Sequence, residues 1–266
     1  VERYAGPGEI LLMTPEGVEQ VRQPGSRMQI CSFLWVYYGY PASSYEGINT
    51  EQVRYRCGAA IAKREDVQAD LVSGIPDSGI GHALGFAHKS GIPYMRPYVK
   101  YTPTWPRSFM PQNQKTRDLV ARMKLIPVRE IISGKRVIFC DDSVVRGTQL
   151  QDNVQILHEY GVSEIHMRIA CPCLIYPCEF LNFSTSRSSL DLAGRKAILE
   201  LEGSETAALD EYGRDGSDRH TAMVSSICKR LKLTSLRYQT LDDLVEAIGL
   251  PKEQLCTHCW DGSSYF

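Results

Sequence analysis

The stretch Val137-Ile138-Phe139-Cys140-Asp141-Asp142-Ser143-Val144-Val145-Arg146-Gly147-Thr148-Gln149 decides the fold. Its first four residues are apolar, introduced by Lys135-Arg136 and stopped by two acids, the pattern of a buried parallel strand. Small and hydroxylated residues follow, then Leu150, Val154, Leu157 and Gly161 mark a helix and its end. A strand, a short polar loop and a helix start aim free backbone N–H groups and the positive end of a helix dipole at an anion. Ser143 and Thr148 add hydroxyl donors, and Gly147 lets the backbone approach a phosphate closely. Asp141 and Asp142 would repel a phosphate placed on them, so they are expected to face hydroxyls or a metal ion beside it. A phosphate carried on a polyol, such as a ribose 5-phosphate, satisfies both halves.

Outward from this unit, the pattern repeats. Asp70-Leu71-Val72-Ser73 opens a strand, Gly74-Ile75-Pro76-Asp77-Ser78-Gly79 makes a tight loop, and Ile80, Leu84, Ala87 and His88 mark a helix ending at Gly91. Such a loop suits a second phosphate group. Ile92-Pro93-Tyr94 begins another strand, and residues 164–170 alternate as one more. Asn49 or Thr50 caps a helix with Val53, Cys57, Ala60 and Ile61 on one face. Cys57 is expected in the core, and His82 and His88 as packing or surface residues. Strands near 70, 94, 137 and 167, separated by helices near 55, 84 and 155, give an α/β class: a mostly parallel sheet with helices on both faces. Ligands then bind at the carboxyl ends of the strands, where both loops lie.

The remaining segments are less regular. Residues 8–21 form a hairpin around Thr14-Pro15-Glu16-Gly17, and residues 30–38 are strand-like and rich in aromatics. Residues 100–124 make a long irregular loop rich in Pro, Gln and basic groups, a type that is usually functional or disordered. Helices are expected near 190–199, 223–231 and 241–248, with 200–221 as an exposed loop between the first two.

The chain has 266 residues, enough for one large domain or a domain with appendages. Its 30 basic and 31 acidic residues leave no electrostatic footprint for nucleic acid. No apolar run approaches the ~18 residues of a membrane span, and no signal-peptide pattern is present. Nine cysteines without secretory features point to a reducing cytoplasm, where cysteine serves packing, metal binding or catalysis. The chain begins at Val rather than Met, as expected of a processed product or a piece of something longer.

The Asp141-to-Gln149 stretch resembles the 5-phosphoribosyl-1-pyrophosphate (PRPP) signature of the type I phosphoribosyltransferases. Its wording is most similar to the glutamine PRPP amidotransferase family, and the likeness extends over the chain apart from residues 200–221 and the centre of the 100–124 loop. The resemblance implies displacement of pyrophosphate from C1 of PRPP by ammonia. It assigns the 5-phosphate to residues 143–149, including Ser143, Arg146, Gly147 and Thr148, and the ribose hydroxyls with Mg²⁺ to Asp141 and Asp142. Pyrophosphate falls to Asp77, Ser78 and Gly79, with Ser78 near Mg²⁺. Lys100, Arg107 and Phe109 match the family's lid if one residue is inserted, and Lys100 and Arg107 become cationic clamps on the leaving group. Between them two prolines and a Trp depart from the family pattern.

The same resemblance places a 4Fe–4S cluster on Cys31, Cys178, Cys256 and Cys259, as in a subset of the family. Zinc is the alternative metal, with His258 as a further donor, and reduced packing cysteines are the plain alternative. Cys140, Cys171, Cys173 and Cys228 are expected to be structural, with Cys171 and Cys173 as rival ligands. Residues 1–30 are similar to the end of the family's glutaminase domain, and residues 31–266 to its transferase domain with a C-terminal cluster-binding segment. No cysteine precedes Cys31, so a glutaminase domain or partner chain is expected to supply the ammonia, within a homo-oligomer. Two rival readings are a type I phosphoribosyltransferase acting on a nucleobase and a non-catalytic PRPP-binding regulator.

Overall fold

The computed structural model describes residues 3–100, 125–178, 180 and 188–263. Its centre is a parallel sheet of Leu71–Gly74 (β1), Arg136–Asp141 (β2), Glu164–Ile169 (β3) and Ser235–Tyr238 (β4), side by side in chain order. A single bridge from Tyr94 to Val72 extends the sheet beyond β1. The longer helices among the described residues are Thr50–Lys63 (α1), Gly79–Ser90 (α2), Thr148–Glu159 (α3), Ala193–Glu202 (α4), Asp218–Arg230 (α5) and Leu241–Ile248 (α6). Asn49 caps α1 by accepting from the Gln52 amide at 3.0 Å, and Thr240 caps α6 by accepting from the Asp243 amide at 3.1 Å. No helix among the described residues is long and apolar enough to cross a membrane.

Strand alternation divides the core. Val72, Ile138 and Cys140 pack with Ile61, Ala83 and Phe86 of α1 and α2, while Leu71, Val137 and Phe139 pack with Val154 and Leu157 of α3. The sheet is therefore covered by helices on both sides. On the α1 side β3 carries His166 and Arg168, in register with Ile138 and Cys140. Both are buried, and each is satisfied: His166 Nδ1 lies 2.8 Å from Ser235 Oγ, and Arg168 Nη2 donates to Glu65 at 2.8 Å.

Four local expectations change. Residues 30–38 are not one strand: Ile30–Cys31 is a short strand and Leu34–Tyr38 a wide helical turn. Trp35 and Val36 are both fully buried, and a strand would send neighbouring side chains to opposite faces. Tyr94 contributes a bridge rather than a strand. β4 is an additional strand, too short for its alternation to stand out before α6. Within 200–221, Leu209–Tyr212 forms a helical turn whose Tyr212 is buried and donates to Glu202 at 2.8 Å. One aromatic anchor in a polar, glycine-rich segment gives no periodicity to read.

Cys57 and His82 are buried as expected, and His88 is exposed. His82 Nε2 lies 3.3 Å from the Val36 carbonyl oxygen, and burial pushes its pKa down to about 4. An unfolded chain protonates this imidazole near 6.5, so the folded state binds fewer protons between these values. Stability from His82 is complete above that range and is lost as pH falls toward 4. Urea midpoints measured from pH 7 to pH 4 should therefore fall less steeply for His82→Gln than for the parent. Equal slopes would show that His82 does not carry this dependence.

Candidate active site

The chain leaves β1 toward Tyr94 on one side and leaves β2 through α3 toward β3 on the other. The carboxyl ends of β1 and β2 therefore flank a topological switch point, where an open α/β sheet leaves a crevice. Both loops singled out from the sequence project there. The Ile75 amide donates to the Cys140 carbonyl at 2.9 Å, and the Gly79 amide closes the loop onto the Ile75 carbonyl at 2.9 Å. A Cβ at Gly79 would run into the Cys140 carbonyl oxygen, so the backbone there demands glycine. The Pro76–Asp77 peptide is cis. Lys100 Nζ pairs with the Asp77 carboxylate at the loop's exposed edge.

In the loop after β2, the Asp142 amide donates to Asp141 Oδ1 at 2.9 Å and the Ser143 hydroxyl to Asp142 Oδ1 at 2.5 Å. The Ser78 hydroxyl of the first loop also bonds the Asp142 carboxylate. Gly147 precedes α3 with φ +78°, a left-handed conformation that favours glycine. Arg146 pairs with Asp191 at 3.5 Å. Burial raises the Asp141 pKa well above the usual carboxylate range, and the Asp142 charge raises it further. Burial also raises Asp142, against hydrogen bonds from Ser143 and Ser78. Neither acid has an ion pair among the described residues. Two desolvated carboxylates side by side call for a cation or for hydroxyl donors.

These groups line one cavity of about 630 Å³, which takes in Ser78, Asp141, Asp142, Ser143, Arg146 and Gly147. It lies within the ordinary range for a small-molecule site. Tyr37, Leu125, Leu150 and Asn153 line it too and were not singled out from the sequence. Tyr37 gets there by the helical turn at 34–38, whereas Leu150 and Asn153 read only as helix positions. Asp77 and Lys100 stand at the first loop without lining this cavity. Thr148 begins α3, and its side chain, like Arg107, Phe109 and the rest of 101–124, lies outside the described residues.

Cys31, Cys178, Cys256 and Cys259 are drawn toward one another by short backbone pairings. Ile30–Cys31 pairs in parallel with Leu255–Cys256, with Cys31 opposite Cys256. The amides of Ile175 and Tyr176 donate to the Cys259 carbonyl at 3.0 and 3.1 Å, carrying the Cys178 segment alongside. Burial pushes the Cys31 thiol up to about 11, N–H groups of Phe33 and Leu34 oppose this, and Cys256 and Cys178 add to it. Cys259 is raised first by burial, then by Cys178, Cys31 and Cys256. The Phe180 amide donates to Cys178 Sγ at 3.4 Å. Among the described residues no three His, Cys, Asp or Glu side chains are grouped closely enough for a single metal ion. Cys57, Cys140, Cys171 and Cys173 are buried, and Cys228 Sγ lies 3.4 Å from the Leu233 carbonyl.

No family model matches the chain. Curated relatives do. An amidophosphoribosyltransferase of Methanocaldococcus jannaschii is 37% identical over 232 residues, covering 87% of this chain and 43% of that protein. One of Bacillus subtilis is 36% identical over 200 residues, covering 75% and 42%. The chain thus spans about half the length of the curated relatives it matches. A solved structure of glutamine PRPP amidotransferase from B. subtilis, complexed with ADP and GMP, matches with a TM-score of 0.77. It is 29% identical and covers 98% of this chain and 52% of that one.

The tight seat of Gly79 makes a prediction independent of any substrate. Gly79→Ala should force the 75–79 loop off the Cys140 carbonyl and destabilise the protein by about 1–3 kcal/mol, read from urea unfolding. A variant as stable as the parent would show that the two loops do not meet as described.

Proposed function

As a relative of the amidophosphoribosyltransferases, this chain, we propose, performs their phosphoribosyl transfer: ammonia displaces pyrophosphate from C1 of PRPP, giving 5-phosphoribosylamine for purine biosynthesis. The observation that carries this reading is the pair of half-buried Asp141 and buried Asp142 beside a phosphate-suited loop in one cavity. Positive charge develops on the ribose ring and negative charge on the departing pyrophosphate, so the protein needs no nucleophile of its own. Loop residues 143–147 and the α3 terminus receive the 5-phosphate, Arg146 helping to neutralise it. Asp141 and Asp142 accept from the ribose hydroxyls and fix the ring, and Ser143 holds the Asp142 carboxylate in place.

The loop of Asp77, Ser78 and Gly79 takes the pyrophosphate. Lys100, now on Asp77, is the cation that turns to the leaving group, and Arg107 joins it from the lid. Water competes with ammonia for the ribosyl carbon, so closure of that lid protects the reaction. Mg²⁺ fits here: Asp141, Asp142 and Ser78 offer hard oxygen donors, and the two acids lack a cationic partner among the described residues. Bound there, it offsets charge on the phosphates.

Cys31, Cys178, Cys256 and Cys259 are the residues that would hold a 4Fe–4S cluster. Four mutually interacting thiols, with backbone N–H groups directed at Cys31 and Cys178, fit such a site. A single zinc needs its sulfurs within ~2.3 Å of one point, which the absence of a tight group among the described residues does not favour. Phosphoribosyl transfer moves no electrons, so the cluster's role is to tie both ends of residues 31–259 together.

The hairpin Ile10–Thr14 and Gly17–Arg22 stands outside this body, with Leu12, Met13, Val18 and Val21 at least half exposed. That apolar surface supports a boundary near residue 30 and a glutaminase domain or chain docked against the hairpin as the source of ammonia.

Two outcomes follow. Asp142→Asn should keep the circular dichroism spectrum of the parent and lose PRPP turnover by about 100-fold or more; normal pyrophosphate release by that variant would sink the assignment. Protein purified without oxygen should be brown, with iron and labile sulfide in about a 1:1 ratio, and Cys256→Ser should lose the colour. A colourless protein holding zinc or no metal would contradict the cluster and leave the PRPP reading standing.

A further inference from the structure

Behind the loop that follows β2 lies a second, smaller cleft of about 110 Å³. It is enclosed by the first turn of α3 and by α4 and α5, through Gly147, Gln151, Ala193, Ile227 and Leu231 together with three cations. The cations are Arg146, Lys196 and Arg230, and no acid lines the space. Arg146 pairs with Asp191 at 3.5 Å and Arg230 with Glu200 at 2.8 Å, but both acids stand outside the lining. Lys196, half-buried, has no ion pair among the described residues. Asp191 and Glu200 offset part of the charge of the two guanidinium groups, and an anion between the three cations would offset the rest.

The cleft has ample room for a tetrahedral oxyanion. Two guanidinium groups suit the paired oxygens of a phosphate better than a lone carboxylate or halide. Position gives the site a consequence. Arg146 and Gly147 line both this cleft and the larger cavity, so one arginine borders two spaces.

We propose that the Arg146–Lys196–Arg230 cleft binds a phosphate-class oxyanion, and that its occupation draws Arg146 from the larger cavity and weakens sugar-phosphate binding there. The cleft rests on its own geometry. The effect on PRPP rests also on the function proposed above. By linkage the weakening is mutual: PRPP lowers the affinity for the second anion by the same factor.

Calorimetric titration of the full chain with orthophosphate tests this. The parent should show two sites, one in each space, and Lys196→Met and Arg230→Gln should each lose one while keeping the other. Rising phosphate should weaken PRPP binding in the parent about fivefold more than in Lys196→Met, where only direct competition remains. Glycerol 3-phosphate, run in parallel, tells a free ion from an ester: equal occupancy of the second site admits an esterified phosphate, and its exclusion restricts the cleft to the free ion. One-site binding by the parent, or two-site binding by both variants, overturns the proposal. Loss of PRPP binding with the second phosphate site intact would instead fall on the proposed function.

Discussion

One backbone hydrogen bond, from the Ile75 amide to the Cys140 carbonyl, continues the β1–β2 pairing past the end of β1. It works because Gly79 has no side chain to hold the loops apart. Through it Ser78 of one loop reaches the Asp142 carboxylate of the other, and the two loops share one crevice. Moving either loop outward would separate the acids from the Ser78 hydroxyl and open the cavity. The site is therefore a property of two adjacent parallel strands before it is a property of any one side chain.

The two acids sit in that crevice at an electrostatic cost. Burial holds both pKa values up, the Asp142 charge adds to this for Asp141, and hydrogen bonds from Ser143 and Ser78 oppose part of it for Asp142. A structural role would be better served by a salt bridge, as Glu65 supplies to Arg168 on the other face of the sheet. Carboxylates at a loop with no ion pair among the described residues suit a ligand that brings hydroxyls or a cation. That contrast between Arg168, matched by Glu65, and Asp141, with no ion pair among the described residues, separates framework from site.

The sheet and both loops were legible from sequence because each strand is a short apolar run stopped by a polar, glycine-bearing turn, as at Asp141-Asp142 and Gly74-Ile75. Tyr37 was not, since an aromatic run carries strand propensity and only the joint burial of Trp35 and Val36 selects a helical turn. Tyr212 and β4 escaped for a related reason: each depends on long-range packing that leaves no local period. The meeting of Cys31 with Cys256 lies further still from local pattern, because it needs a two-residue strand pair between opposite ends of the chain. Family resemblance brought those cysteines together before geometry did. By contrast, the three cations of the small cleft come from a loop and two helices, and neither spacing nor resemblance joins them.

The central claim is that the crevice between β1 and β2 transfers a phosphoribosyl group to ammonia. The most direct measurement is pyrophosphate release from PRPP and Mg²⁺ by the intact chain, purified without oxygen, with ammonium chloride as the only nitrogen source. Release should rise with free ammonia and yield 5-phosphoribosylamine in equal amount. Folded protein that releases no pyrophosphate with ammonia, or releases it only when a nucleobase is supplied, would contradict the account.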